Sequence, residues 1–136
     1  MKKSDVFLPD TNTLLRYLLN DEPGLFARAR DFWEEVREGR RKAVLTEGVL
    51  MECVYVLQRF YKIPREKITS KLSIIFGYKG LDRENIDLYV RAFSIYRETR
   101  LDFVDCLLAS REISHQGIVF SFDDKLNALI RRGAKP

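Results

Sequence analysis

The sequence predicts an α/β fold in which a parallel sheet has helices packed on both faces. Three short apolar segments have the composition of buried strands, at residues 6–9, 43–45 and 118–122. Stretches with apolar residues at helical spacing separate these segments, and strands that alternate with helices usually pair in parallel. The chain has 136 residues, a length that suits one domain, and we expect that domain to span 1–136.

Three helices are predicted between the first strand and the middle of the chain, over about 11–19, 23–38 and 47–60. The first begins after Asp10 and the third after Thr46, and both residues are common N-caps. The second predicted strand lies between the second and third helices. At about 100° per residue, the buried arc of the third helix is centred on Cys53, Leu57 and Phe60.

Four further helices are predicted in the second half, over about 64–77, 84–98, 103–117 and 124–132. Pro64 suits the first turn of a helix, where its missing N–H group costs nothing. Asp102 is the predicted N-cap of the sixth helix, and Asp123 with Asp124 opens the seventh. The third predicted strand connects these last two helices.

The composition and motifs exclude several functional classes. A hydrophobic fraction of 46% excludes a disordered chain, and no apolar stretch is long enough to cross a membrane. The lone histidine, His115, leaves no histidine pair for zinc, and no glycine-rich phosphate-binding motif is present. Cys53 and Cys106 form no disulfide framework and fit a reducing cytoplasm. Catalysis would therefore depend mostly on carboxylates, and the net charge of +4 is compatible with an anionic partner.

Two aspartates follow predicted strands at the edge where open parallel sheets bind ligands. Asp10 follows the first strand and Asp123 the third, and the carboxyl ends of parallel strands meet at one edge. Taken alone, each is more simply explained as a helix N-cap, and the same explanation holds for Asp124 beside Asp123. Capping and metal ligation are compatible, because one carboxylate oxygen suffices for the cap.

Two further carboxylates interrupt apolar helical surfaces. Glu52 lies at the rim of the buried arc of the third helix, although a boundary glutamate that reaches into water explains the same position. Asp105 stands among apolar residues on every side of the sixth helix, so we expect it to be buried, and a buried carboxylate needs a partner. The alternative is a capping box, with Asp102 as the cap and Asp105 three residues later.

The four carboxylates Asp10, Glu52, Asp105 and Asp123 would need a cation if they converge. Four charges about 6 Å apart repel by roughly 17 kcal/mol at an effective dielectric constant of about 20. This repulsion exceeds the roughly 5–15 kcal/mol by which a domain is stable. Oxygen ligands without histidine or thiolate favour Mg²⁺ or Mn²⁺, and such a site suits phosphodiester hydrolysis.

Four segments carry a recognisable family pattern in order and at the right spacing, at residues 8–18, 46–57, 101–109 and 119–126. In these segments the chain resembles PIN-domain ribonucleases, most closely the VapC-type toxins of prokaryotic toxin–antitoxin pairs. The resemblance implies a PIN-like parallel sheet of three to five strands and a metal-dependent endoribonuclease. It also implies a homodimer that cuts RNA and is inhibited by a cognate antitoxin protein.

The resemblance also assigns roles to individual residues. It implies that four carboxylates are catalytic and hold Mg²⁺ or Mn²⁺, namely Asp10, Glu52, Asp105 and Asp123. Three small polar residues, Thr11, Asn12 and Ser121, are implied as supporting groups. Asp102 and Asp124 compete with Asp105 and Asp123 for the same role and are counted as further supporting groups. Whether Asp102 or Asp124 joins the metal site stays open.

Arg16 is the best placed of the basic residues, six positions after Asp10 on the predicted first helix. It is predicted to hold a substrate phosphate, although a salt bridge to an acidic neighbour explains it equally well. Two further basic runs, at 37–42 and 59–67, are either RNA contacts or solvated faces.

Two other functions fit parts of the same sequence. A haloacid-dehalogenase-type phosphatase also opens with a strand and D-x-D-x-[TV], but Asn12 stands in place of the second aspartate. A non-catalytic nucleic-acid or partner-binding module on the same fold would bind RNA without cutting it.

Overall fold

The computed structural model describes residues 5–20 and 23–133, so the ends of the expected domain, 1–4 and 134–136, lie outside the described residues. The described residues form two short strands, β1 (Val6–Phe7) and β2 (Lys42–Ala43). They also form seven helices, namely α1 (Thr11–Leu19), α2 (Pro23–Glu38), α3 (Glu47–Arg59), α4 (Arg65–Phe76), α5 (Ile86–Glu98), α6 (Phe103–Ile113) and α7 (Asp124–Arg131).

The two strands pair in parallel, as the alternation of strands and helices predicts. Phe7 of β1 pairs with Ala43 of β2. On the other edge of β2, Ala43 makes a parallel bridge to Leu81, and its amide donates to the Gly80 carbonyl at 3.0 Å. A Cβ atom added at Gly80 would collide with the Arg41 carbonyl, so this close approach requires glycine.

The third predicted strand is not a strand in the structure, and the sheet of the described residues has two strands where three to five were expected. The side chains of Ile118, Phe120 and Phe122 in this segment are 91%, 87% and 90% exposed. The backbone of this segment bonds to a side chain instead of to a strand: the Val119 amide donates to Glu112 Oε1 at 2.7 Å. Apolar composition indicates a tendency to form a strand, but pairing depends on a distant part of the chain.

The helix predictions are largely confirmed in position. α2 has the predicted bounds, and α4 begins directly after Pro64. α6 ends well before Gly117, because the chain turns through His115, which has a left-handed φ of 60°. α5 begins slightly later than predicted, after Asn85, whose φ is 66°. Among the described residues, none of the helices combines the length and the hydrophobicity needed to cross a membrane.

The core lies between the helices, with α5 packed against α4 and α6 and α1 packed against α2 and α3. Phe93 and Tyr96 of α5 are among the largest fully buried side chains. Two expectations about burial are wrong. Phe60 is 72% exposed because α3 ends before it, and Val104 is exposed beside Asp105, so α6 is not buried on every side.

A single arginine ties α4 to the connection between α5 and α6. The Arg65 guanidinium donates hydrogen bonds to three backbone carbonyls, those of Tyr96 at 3.0 Å, Leu101 at 2.7 Å and Arg100 at 3.2 Å. The guanidinium also lies over the Tyr96 ring, 4.2 Å from its centroid. We call this arrangement the Arg65 clamp. It fixes the backbone immediately before Asp102, the N-cap position of α6.

Candidate active site

Asp10 is the N-cap of α1, as its position after the first strand predicts. Its Oδ1 accepts hydrogen bonds from the backbone amide and the hydroxyl of Thr13, at 2.9 and 2.8 Å. The amide bond is the main reason that the pKa of Asp10 lies below its ordinary value, and the hydroxyl bond is the second. Asp10 is therefore firmly ionised, and because both bonds use Oδ1, capping does not occupy Oδ2.

Asp105 is partly buried in the first turn of α6 and lies within electrostatic range of two other acids. Burial is the main cause that raises the pKa of its carboxyl group, and the charges of Asp123 and Asp102 raise it further. The fold thus brings the start of α6 close to the start of α7. Asp102 occupies the N-cap position but makes no side-chain capping bond, so the capping-box alternative is wrong.

Asp123 is the N-cap of α7 and is supported by Ser121. Asp123 Oδ1 accepts a hydrogen bond from the Leu126 amide at 3.0 Å, and the Asp123 amide donates to Ser121 Oγ at 2.9 Å. The Ser121 carbonyl accepts in turn from Asn127 Nδ2 at 2.8 Å. The serine therefore orients the turn from which the Asp123 carboxylate acts on Asp105.

Glu52 is exposed on α3 and lines a groove of about 440 Å³ between α3 and the start of α6, which we call the α3–α6 groove. Asp102 lines the same groove, so the two carboxylates face one space. Tyr55 and Arg59 also line it, on the same face of α3 as Glu52. The neighbouring Cys53 is fully buried, in agreement with the rim position that the sequence predicts for Glu52.

The structure brings several of the candidate acids into one region. Asp102 faces the groove together with Glu52 and acts on Asp105, on which Asp123 also acts. The pKa of Asp10, in contrast, is set mainly within its own helical turn. In the part of the chain that the structure describes, no three histidine, cysteine, aspartate or glutamate side chains form a group that could hold a metal ion. The convergence of all four carboxylates therefore stays a prediction.

The chemistry of the donors fits Mg²⁺ or Mn²⁺, whereas the geometry does not complete the site. All candidate ligands are carboxylate oxygens, and burial raises the pKa of the Cys53 thiol to about 12, so this cysteine offers no thiolate. The meeting of Asp10 and Asp123 was predicted because both were expected to follow strands of one sheet. The segment before Asp123, 118–122, is not such a strand.

A second pocket, of about 370 Å³, lies beside the turn of Asp10 and contains two arginines. Asn12 and Arg16 reach it from α1 and Arg28 reaches it from α2. Arg16 Nη2 also donates to Tyr61 Oη at 3.4 Å. Sequence reasoning missed Arg28, because its proximity to α1 depends on how α1 and α2 pack.

Two of the implied supporting residues begin helices. Thr11 is the half-buried first residue of α1, and Asp124 is the exposed first residue of α7. An acidic residue in the first turn interacts favourably with the helix dipole, so Asp124 has a structural role of its own.

The basic run at 37–42 is largely paired with acids from the same region. Three arginines form ion pairs at 2.6 to 3.0 Å, Arg37 with Glu34, Arg40 with Glu38 and Arg41 with Glu35. This pairing favours the interpretation of the run as a solvated face.

Comparisons with known proteins agree on one family. The family model described as PIN domain matches residues 7–131. A curated relative named VapC ribonuclease, from Aquifex aeolicus (strain VF5), is 30% identical over 100 residues. That alignment covers 74% of this chain and 73% of the relative. No solved structure shows a significant match.

Proposed function

The chain belongs to the PIN-domain family, and from this premise we propose that it is an endoribonuclease that hydrolyses RNA phosphodiester bonds with Mg²⁺ or Mn²⁺. The observation that carries the proposal is the position of Asp105, which is partly buried at the start of α6 and lies within electrostatic range of Asp123 and Asp102, in a chain whose residues 7–131 match the PIN domain. Acids that repel one another at a partly buried position are typical of a site that binds a cation. The family match also removes the phosphatase alternative.

We assign the metal to four carboxylates, those of Asp10, Glu52, Asp105 and Asp123. A bound divalent cation would polarise the scissile phosphate and lower the pKa of the attacking water. Thr13 keeps Asp10 ionised through its two hydrogen bonds, and Ser121 orients the turn of Asp123. Hydrolysis by this route leaves a 5′-phosphate and a 3′-hydroxyl. Around these ligands we place five supporting groups, Thr11, Asn12, Asp102, Ser121 and Asp124.

The pocket beside Asp10 is the one best suited to bind substrate phosphates. Its two guanidinium groups, from Arg16 and Arg28, provide positive charge beside the turn of Asp10. Asn12 adds an amide that both donates and accepts hydrogen bonds. The pocket therefore suits an RNA backbone that approaches Asp10.

We further propose that the chain acts as the toxin of a type II toxin–antitoxin system, as a cytoplasmic homodimer with a cognate antitoxin protein. This extension is supported by the similarity to the relative named VapC ribonuclease. A small gene directly upstream of the coding sequence, whose product binds this chain and blocks its nuclease activity, is the expected finding.

Cleavage of a panel of structured RNAs in Mg²⁺, Mn²⁺ or EDTA tests the nuclease. We expect cleavage with either cation and none in EDTA. Asp105→Asn should lower the rate about 100-fold or more, because a lost metal ligand costs several kcal/mol of transition-state stabilisation. Asp87→Asn, which changes an exposed acid in the first turn of α5, should leave the rate within about twofold of wild type.

Activity that survives both EDTA and Asp10→Asn would overturn the metal-dependent mechanism. The second candidate function is a non-catalytic RNA-binding module, and it is favoured by the lack of an assembled three-acid group among the described residues. In that case RNA binds uncut and Mn²⁺ leaves the Tm unchanged, whereas the nuclease should gain stability from a bound cation.

A further inference from the structure

The α3–α6 groove continues along α3 beyond the candidate metal ligands. Glu52, Tyr55 and Arg59 are spaced three and four residues apart, so they lie on one face of α3, and all three line the groove. At about 1.5 Å per residue, Tyr55 lies about 4.5 Å and Arg59 about 10.5 Å beyond Glu52 along the helix axis. A strand that leaves Glu52 along this groove passes Tyr55 first and Arg59 next.

This end of the groove carries exposed aromatic rings. The side chains of Tyr55 and Phe60 are 55% and 72% exposed, and their rings meet edge to face with centroids 6.4 Å apart. The Arg59 guanidinium lies 5.7 Å from the centroid of the Tyr55 ring. We call these three residues the α3 platform. Exposed rings next to an arginine are the combination on which single-stranded nucleic acids stack their bases.

We propose that the α3 platform stacks an unpaired base of the RNA substrate against Tyr55, next to Glu52. The proposal rests on the proposed function and adds how the substrate strand is held and which RNA is preferred. The groove has the size of a small-ligand pocket. The Tyr55 side chain is 55% exposed, and a phenol ring can stack on any of the four bases.

The charges along the groove set the direction of the strand. Glu52 repels phosphates unless a cation is bound, whereas Arg59, about two turns further along α3, attracts them, and Asp102 lines the groove from the start of α6. The base at Tyr55 therefore belongs to a nucleotide whose outer phosphate points towards Arg59. Because a base inside a duplex is already stacked and paired, the platform selects unpaired RNA.

Binding of a fluorescein-labelled oligoadenylate of about 12 nucleotides, measured by anisotropy in EDTA so that the RNA stays intact, tests the proposal. Tyr55→Leu keeps an apolar side chain but removes the ring face, and it should weaken binding about 5- to 150-fold. Tyr55→Phe keeps the ring and should bind within about twofold of wild type. Ile74→Ala, which truncates an exposed apolar side chain of α4, is the matched control and should bind like wild type.

Two further measurements separate base from phosphate contacts. An oligomer of the same length that lacks its bases should bind wild type and Tyr55→Leu equally, because nothing remains to stack. Arg59→Gln should reduce the slope of log K against log salt by about 0.7, the value for one phosphate contact on a single strand. Tyr55→Leu should leave this slope unchanged.

The proposal is overturned if Tyr55→Leu binds oligoadenylate as tightly as wild type. It is also overturned if this variant changes the mass in solution by light scattering, since the platform then belongs to an interface with a second copy of the chain. Failure of the proposed function has a different signature. Neither wild type nor the variants at position 55 would then cut RNA in Mg²⁺ or Mn²⁺.

Discussion

Asp105 and Asp123, two acids of the candidate site, are held by very different parts of the molecule. Asp105 lies in the first turn of α6, directly after the backbone that the Arg65 clamp fixes. Asp123 follows the segment 118–122, in which three apolar side chains are almost fully exposed. One acid therefore stands on a packed framework, and the other follows a stretch of chain with little packing of its own.

The helix that carries Asp105, α6, contacts several other helices. Ser110 Oγ of α6 donates to the Leu88 carbonyl of α5 at 2.7 Å, and an ion pair between Arg111 and Glu47 joins α6 to α3. In the segment 118–122, the Val119 amide donates to a glutamate of α6 and the Ser121 carbonyl accepts from Asn127 of α7. Helix packing thus positions Asp105, whereas the predicted meeting of Asp123 with Asp10 depends on a strand pairing that the described residues do not make.

The largest expected effect comes from breaking the Arg65 clamp. Arg65→Met keeps the apolar stem but removes donors to three carbonyls, and it should lower the free energy of unfolding by about 2–4 kcal/mol. Urea denaturation measures this loss. Lys67→Met, on the exposed face of the same helix, is the matched control and should change stability by less than about 0.5 kcal/mol. Equal stabilities of the two variants would contradict the comparison, because the start of α6 would then not depend on the clamp.

Local patterns predicted the helices well and the strands poorly, and long-range geometry explains what they missed. The N-cap roles of Asp10, Thr46 and Asp123 follow from residue type and position, and the structure confirms all three. The clamp was not predictable from the sequence. Arg65 belongs to the basic run at 59–67, and nothing in that run distinguishes it from the neighbouring basic residues. Phe60 was placed in the buried arc by extending the helical period one residue past the end of α3.

The same limit explains the incomplete site. The rim position of Glu52 depends only on the period of one helix, so the sequence was sufficient to place it. The meeting of Asp10 and Asp123 requires that two short segments far apart in sequence become neighbours in one sheet. Apolar composition carries no information about that register, and the described residues do not form it.

A second, smaller effect distinguishes Asp105 from Asp10 by the sign of their pH dependence. The pKa of Asp105 is raised by burial first and by Asp123 and Asp102 next, so its ionisation destabilises the metal-free fold as the pH rises above 3.8. The pKa of Asp10 is lowered by its bonds to Thr13, so its contribution is stabilising above pH 3.8 and is lost as the pH falls through the lowered value.

Thermal unfolding in EDTA from about pH 3 to pH 7 measures both signs. Asp105→Asn should raise the Tm at neutral pH by up to a few degrees, and the gain should fade towards acid pH. Asp10→Ala should lower the Tm at neutral pH, because it removes both the charge and the N-cap. A fall in the Tm of Asp105→Asn at neutral pH would mean that Asp105 has a stabilising cationic partner, and the electrostatic argument for a metal at α6 would be lost.

The smallest effect is expected on the segment side of the comparison. Phe120 and Phe122 contact each other, with ring centroids 5.5 Å apart, but their high exposure means that folding removes little of their apolar surface from water. Phe120→Ser and Phe122→Ser should therefore each change the free energy of unfolding by less than about 0.5 kcal/mol. Phe93→Ala, in the buried core, is the reference and should cost about 3–5 kcal/mol. A loss of about 2 kcal/mol or more in either serine variant would mean that the segment packs as a buried strand, and Asp123 would then approach Asp10 as the sequence predicts.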